Sequence, residues 1–193
     1  MLNEKSKKLK VKSKQVGFSL IEMMIAVSVF AIVIFMSTGA ILSIVAANQK
    51  SKNLRATTDN VNLALNSMTR TIRFGNTYHC GLSGDLNTAN DCSAGSNSLT
   101  VRASDGTRVS YGLSSGRITR VICPVAGPCG STLDMTSSDM TITNLGFWVN
   151  GSSSLDNYQP RVTVVLGGYS GVKVSTQSSF LLETVVSQKK LDI

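Results

Sequence analysis

Apolar residues dominate the chain from Phe18 to Ala47, where 30 consecutive positions contain one ionisable side chain, that of Glu22. A helix of this length extends about 45 Å, whereas the hydrocarbon core of a membrane is about 30 Å thick. The pattern therefore predicts one membrane-spanning helix over residues 18–47.

A second apolar pattern, with helical spacing, follows in the more polar stretch 48–75. Its apolar positions lie seven, four, three and four residues apart and form one stripe on a helix: Leu54, Val61, Leu65, Met68 and Ile72. Gly75 and Asn76 follow the stripe and are typical helix-ending residues. We expect residues 48–75 to be an amphipathic helix that packs its stripe against the rest of the protein.

The remainder of the chain, 76–193, has strand patterns and no helical pattern. Apolar and polar residues alternate, or short apolar runs occur, in 99–103, 109–113, 118–122, 140–149, 162–166, 172–175 and 180–186. Residues 80–97 are rich in Gly, Ser, Asn and Asp and are predicted to be a loop. The strands predict an antiparallel sheet whose apolar face is covered by the amphipathic helix, which is an α+β fold.

The charged residues are unevenly distributed along the chain. The formal net charge of +8 divides into +5 for residues 1–17, +3 for residues 18–75 and zero for residues 76–193. Lysines before an apolar span keep that end in the cytoplasm by the positive-inside rule, so we expect residues 76–193 outside the cytoplasm. Because this head is neutral, its composition does not indicate nucleic-acid binding, which relies on basic patches.

Glu22 is the unusual residue of the apolar segment. A carboxylate within hydrocarbon costs about 2.5–3.5 kcal/mol on insertion scales. No Lys, Arg or His lies between Phe18 and Asn48, so an intrachain partner has to be a backbone or terminal group. If the chain were cut after Gly17, the new amino group of Phe18 would be a cation at the same depth in the membrane.

The Lys-rich start, Gly17, Phe18, the sequence Ser19-Leu20-Ile21-Glu22 and the apolar helix together resemble the class III signal of type IV pilins and type II secretion pseudopilins. The resemblance implies cleavage by a prepilin peptidase after Gly17, methylation of the Phe18 amine, and pairing of Glu22 with the terminal amine of a neighbouring subunit. It also implies a pilin-like fold and a structural subunit, not an enzyme.

The same resemblance implies an organisation and a set of partners. Residues 1–17 would be a cleaved leader, 18–47 a transmembrane and filament-core helix, 48–75 the packed helix half, and 76–193 an extracytoplasmic β head. The expected partners are the prepilin peptidase, other pilin or pseudopilin subunits, the inner-membrane assembly platform and, before assembly, membrane lipid. The chain would cross the cytoplasmic membrane once and then enter a periplasmic or extracellular filament.

Several short motifs are similar to those of J-type or W-type minor pilins, which sit at filament tips. They occur in chain order as Met68–Arg73, Val109–Tyr111, Leu145–Phe147 and Phe180–Gln188. Gln188 and Lys189 stand where that subtype is expected to have an arginine. The resemblance covers twitching or adhesion pili, secretion pseudopili and DNA-uptake pili alike.

Gly39 interrupts the membrane half of the helix and is a candidate hinge. Glycine inside a helix costs about 1 kcal/mol relative to alanine. Many pilins have a proline near this position, and this chain has none there. A small residue for close helix packing is the alternative interpretation.

The four cysteines, Cys80, Cys92, Cys123 and Cys129, all follow the membrane segment. On the oxidising side of a membrane we expect disulfides, and the spacing favours Cys80 with Cys92 and Cys123 with Cys129, although sequence allows three connectivities. The spacing does not fit a structural zinc site, so no metal or cofactor is expected.

Other candidate chemistry is weak. His79 is the one histidine, and it is predicted to be a plain loop residue rather than half of a Cys/His couple. The aspartates Asp134, Asp139 and Asp156 are not spaced as in an EF-hand, so calcium binding is not indicated. The alternative function is a single-pass, membrane-anchored binding module or enzyme that does not assemble into filaments.

Overall fold

The computed structural model describes residues 17–81, 83–153, 158–171 and 177–189. By its internal contacts the chain divides into two units, Met1–Val45 and Ala46–Ile193. One helix, α1 (Leu20–Phe74), contributes residues to both units. The expected leader, apart from Gly17, and the strand expected over 172–175 lie outside the described residues.

In the first unit, α1 is apolar and almost entirely exposed. Of the described side chains from Phe18 to Val45, that of Ala31 is partly buried and the others are exposed. By length and composition this helix can cross a membrane. The apolar run of the sequence is therefore a continuous helix, as predicted.

In the second unit, one face of α1 is buried in the head. Its buried residues are Thr57, Val61, Ala64, Met68 and Ile72, and Leu65 packs partly buried against the same core. The predicted stripe was wrong at its start, because Leu54 is 43% exposed. Thr57 and Ala64, which the stripe omitted, lie on the buried face because they are three or four residues from Val61 and Met68 and so share their side of the helix.

The end of α1 is held by two backbone hydrogen bonds, one local and one from a distant part of the chain. The Gly75 amide donates to the Thr71 carbonyl at 2.9 Å, and the Lys189 amide donates to the Arg73 carbonyl at 2.8 Å. These donors satisfy carbonyls that a helix end otherwise leaves unpaired. A Cβ atom on Gly75 would collide with the side chain of Val101, so glycine is required by close approach to the next sheet.

Nine described strands follow the helix. They are β1 (Asn76–Cys80), β2 (Cys92–Ser96), β3 (Leu99–Arg102), β4 (Arg108–Ser114), β5 (Arg117–Cys123), β6 (Leu133–Asp134), β7 (Met140–Asn150), β8 (Arg161–Ser170) and β9 (Ser178–Ser187).

These strands form two sheets, where the sequence predicted one. Sheet A has the strand order β1-β3-β4-β5-β6 and sheet B the order β2-β7-β8-β9. All pairs within the sheets are antiparallel. The predicted loop over residues 80–97 was wrong in part, because β2 lies within it: its small and polar residues have low strand propensity, and pairing with β7 decides their conformation.

One cluster of buried side chains joins the helix to both sheets. Met68 of α1, Leu99 and Tyr111 of sheet A, and Phe147 and Leu166 of sheet B all belong to it and are at most 1% exposed. The second half of α1 therefore covers antiparallel sheets in an α+β fold, as the sequence predicted.

Candidate functional site

Gly17, Phe18 and Ser19 precede the first helical turn and are exposed. The carbonyl of Ser19 accepts hydrogen bonds from the amides of Glu22 at 3.0 Å and Met23 at 3.2 Å. Ser19 is thus the N-cap residue of α1, and Glu22 is the third helical residue. The peptide bond between Gly17 and Phe18 therefore precedes the helix, and both of its residues are exposed.

Ser19 and Glu22 occupy the two positions of a capping box. In that motif the serine oxygen accepts from the amide of the third helical residue, whose carboxylate reaches back to the N-cap amide. A carboxylate in the first turn also interacts favourably with the positive end of the helix dipole. The Ser-x-x-Glu spacing at the start of α1, which the sequence prediction did not use, matches that motif, and Glu22 is the acidic residue of the first turn.

Glu22 has no basic residue near it in the described sequence of the first unit. Within residues 17–45, the described part of the first unit, there is no Lys, Arg or His. The carboxylate therefore has no charged partner in that part of the chain.

Large apolar side chains are exposed on all sides of the first unit. They include Phe18, Leu20, Ile21, Ile25, Phe30, Val33, Phe35, Ile41, Leu42 and Ile44. A helix of a soluble domain has one apolar stripe, whereas a helix that is apolar all round is buried in a core or in a membrane. Because this part of α1 is not buried in the protein, lipid or other helices have to cover it.

Gly39 lies within the helical part of the first unit. A Cβ atom at this position would have no neighbour within 4 Å, so nothing in the chain requires glycine there. The preceding Thr38 hydroxyl donates to the Ile34 carbonyl at 2.9 Å, an arrangement that often bends helices. Both interpretations of Gly39, hinge and close helix packing, stay predictions.

The cysteines form the two local disulfides that the spacing favoured, Cys80–Cys92 and Cys123–Cys129. Cys80 lies on β1 of sheet A and Cys92 on β2 of sheet B, so the first bond links the two sheets. The second bond joins the end of β5 to the loop that follows it.

His79 is a buried strand residue, and its prediction as a plain loop residue was wrong. It is 2% exposed, and its ring nitrogens lie 2.9 Å from the Thr88 carbonyl and 2.8 Å from the Ser83 carbonyl. These contacts hold the loop that the Cys80–Cys92 bond closes. The sulfur of Cys80 is in a disulfide, so it does not form a nucleophilic Cys/His couple with His79.

Asp91 is a second loop-holding residue that the sequence did not indicate. Its two carboxylate oxygens each accept a backbone amide at 2.9 Å, from Gly151 and Ser152. Gly151 has a φ of +70°, a backbone conformation that glycine adopts readily in tight turns.

Three side chains at separate positions have pKa values shifted from their ordinary values. A hydrogen bond from the Asn87 backbone amide lowers the pKa of the exposed Asp85 carboxyl. The Thr107 hydroxyl lowers the pKa of the Asp105 carboxyl in the same way, and burial raises the pKa of the Tyr111 phenol. Hydrogen-bonded turn carboxylates and a buried tyrosine account for these shifts, and the three groups do not share a cleft.

The three aspartates considered as calcium ligands are not gathered into one site among the described residues. Asp134 forms an ion pair with Arg117, Asp139 lies near the Ser137 hydroxyl, and Asp156 lies outside the described residues. Within the described ranges, no three His, Cys, Asp or Glu side chains are placed to hold a metal ion.

Comparison with known proteins bears on the first part of the chain. Residues 12–38 match the family model of the prokaryotic N-terminal methylation motif, a range that contains Gly17, Phe18 and Glu22. No curated protein matches the chain. No solved structure matches it either. The motif points to a structural subunit rather than an enzyme, and together with the single apolar helix it supports a membrane-anchored, type IV pilin-like protein.

Proposed function

We propose that the chain is the precursor of a structural subunit of a type IV pilus or a type II secretion pseudopilus. The observation that carries the proposal is the methylation motif over residues 12–38, placed at the start of a helix that is apolar on all sides. A prepilin peptidase cuts between Gly17 and Phe18, and the new amine of Phe18 is methylated. The mature subunit then assembles through residues 18–47.

The apolar surface of residues 18–47 suits such a subunit both in the membrane before assembly and in the filament afterwards. Before assembly the lysines of residues 1–17 keep the N-terminus in the cytoplasm, and lipid covers the helix. In the filament, equivalent helices of neighbouring subunits replace the lipid. The neutral head stays outside the cytoplasm throughout.

Glu22 acquires its charged partner through cleavage. The new ammonium group of Phe18 lies next to the positive end of the helix dipole, which is unfavourable for a cation. A carboxylate of the neighbouring subunit, in a medium of low dielectric constant, offsets this and removes the cost of an unpaired Glu22. We therefore propose that Glu22 of one subunit pairs with the Phe18 amine of the next.

Intact mass of the protein from its host tests the processing step. The expected mass lacks residues 1–17 and includes one added methyl group. Gly17→Leu should abolish cleavage while leaving the helix intact, because Gly17 precedes the helix and a Cβ atom at this exposed position would have no neighbour within 4 Å. A wild-type chain that retains residues 1–17 would refute the proposal and favour a plain membrane-anchored module or enzyme.

The pairing step is tested by variants that separate the charge of Glu22 from the start of its helix. Glu22→Gln removes the charge and keeps a residue suited to the capping box. Ser19→Ala removes the cap, at about 1 kcal/mol, and keeps the charge. We expect both variants to be inserted and cut, with incorporation into filaments reduced about tenfold or more for Glu22→Gln because an unpaired amine remains, and near normal for Ser19→Ala. Equal incorporation of the two variants would contradict the pairing.

We further propose a minor subunit of the J or W type. The supporting motifs lie in order at the end of α1, on β4, on β7 and on β9. Quantitative mass spectrometry of purified filaments should find this chain as a small minority of the subunits. Parity with the main subunit would contradict a minor role.

A further inference from the structure

Strand β9 forms one outer edge of sheet B, where it pairs with β8 on one side. All ten residues of Ser178–Ser187 are in register with Arg161–Ser170, without a bulge. Within the described ranges, the backbone of β9 makes no hydrogen bond to a strand or loop on its other side. Every second amide and carbonyl of β9 therefore points to an edge that no described strand pairs with.

The other three edges of the described sheets are protected in ways that β9 is not. Strand β6 has two residues, and the pairing of β1 with β3 and of β2 with β7 is interrupted by register shifts. Short edge strands, bulges and charged edge residues are the usual protection against unwanted strand pairing. Strand β9 is long and regular and contains no Pro, Lys or Arg.

The side chains of β9 make this edge apolar as well. Leu181 is 72% exposed and Val185 is 54% exposed, and they share one face of the strand with Glu183, the single charged residue of β9. The residue opposite Glu183 on β8 is Val165. Among the described residues, Glu183 belongs to no ion pair.

We propose that the outer edge of β9 binds an extended segment of a neighbouring filament subunit, which adds a strand to sheet B and places a Lys or Arg beside Glu183. This proposal rests on the function proposed above. Unpaired backbone groups of an edge strand are best satisfied by another strand. The apolar neighbours of Glu183 favour alternating apolar residues in the segment that docks.

A second copy of this chain fits the edge less well. Leu181, Glu183 and Val185 lie on one face, so antiparallel pairing of two β9 strands in the registers of greatest overlap brings Glu183 opposite its own copy or diagonal to it. Like charges opposite each other on neighbouring strands are destabilising. A different subunit with a basic residue avoids this repulsion.

Amide hydrogen exchange of the full-length mature chain tests the proposal, in detergent micelles and in purified filaments. In micelles, every second amide of Ser178–Ser187 should exchange fast, and the β8 amides slowly. In filaments, the fast amides of β9 should slow by about tenfold or more, because a strand now accepts their hydrogen bonds. Unchanged fast exchange in filaments would overturn the proposal. Slowing in micelles that grows with protein concentration would also overturn it, in favour of a second copy.

Variants of the edge provide an independent measurement. Leu181→Lys combined with Val185→Lys should reduce incorporation about fivefold or more, since lysines on an edge oppose strand addition. The matched control is Val125→Lys, which changes an apolar residue that is 77% exposed in a loop outside sheet B. Equal incorporation of the edge variant and the control would refute the docking edge. The two proposals fail in different ways. If the wild-type chain is cut and present in filaments but alternate β9 amides still exchange fast, the docking edge is refuted and the proposed function is not. If the wild-type chain is not cut, the proposed function is refuted.

Discussion

The disulfide between Cys80 and Cys92 should be a main source of stability for the head. It links sheet A to sheet B, and both of its sulfurs lie against the Phe147 carbonyl of β7, that of Cys80 at 3.8 Å and that of Cys92 at 3.4 Å. Replacing both cysteines by alanine removes this link without leaving a free thiol. The double variant is therefore a direct test of how the two sheets are held together.

The expected size of the effect follows from the loop that the bond closes. The sequence separation of 12 corresponds to about 3 kcal/mol in the chain-entropy description of a disulfide. For a unit the size of Ala46–Ile193, this loss lowers Tm by about 6–12 °C. The separation of 6 for Cys123–Cys129 corresponds to about 2.4 kcal/mol, so its removal should have the smaller effect.

Thermal and guanidinium unfolding of the full chain in detergent micelles measures both losses. Trp148, the one tryptophan of the chain, lies on β7 with its ring against Gly95 of β2 and reports unfolding of the head by its fluorescence. A loss below about 1 kcal/mol for Cys80→Ala with Cys92→Ala would refute the loop-closure reasoning. A larger loss for the alanine pair at Cys123 and Cys129 would refute it as well.

Four further changes have defined outcomes. Gly39→Ala should raise helix stability by about 1 kcal/mol, seen as slower amide exchange in micelles, since the site has room for a methyl group; if Gly39 is a hinge, filament extensibility should fall as well, and unchanged extensibility would contradict that role. Met68→Ala should lower the free energy of unfolding by about 2–5 kcal/mol, whereas Leu63→Ala, on the exposed face of the same helix, should change it by less than about 0.5 kcal/mol; comparable losses would contradict the assigned face. His79→Phe should lower the free energy of unfolding by about 2 kcal/mol, because two hydrogen bonds are lost. An unchanged denaturation midpoint would contradict the role of His79 in holding its loop. The Asp85 carboxyl, whose pKa is lowered by hydrogen bonds, should titrate by carbon-13 NMR below the ordinary aspartate value of about 3.9, and the stability it contributes should be present above that pH and disappear as pH falls through its folded pKa.

Features with a local physical cause were predictable from the sequence. The apolar run and the single acid at Glu22 are properties of consecutive residues, and helix periodicity placed Met68 and Ile72 on the buried face. Gly75 ends the helix as expected. The spacing of the cysteines also favoured the correct local pairs.

Features that depend on distant partners were decided by the tertiary structure. Strand β2 exists because β7 supplies its hydrogen bonds, and the division into two sheets depends on which strands become neighbours. His79 acquired its partners only when the loop folded over it.

The apolar segment and the methylation motif around Gly17 and Phe18 are thus encoded in consecutive residues, because both depend on the order of neighbouring side chains and on no distant part of the chain. The edge of β9 is different. Its apolar alternation predicted a strand, but only the strand order of sheet B shows that one side of this strand has no partner among the described residues, because pairing is a relation between segments far apart in the chain.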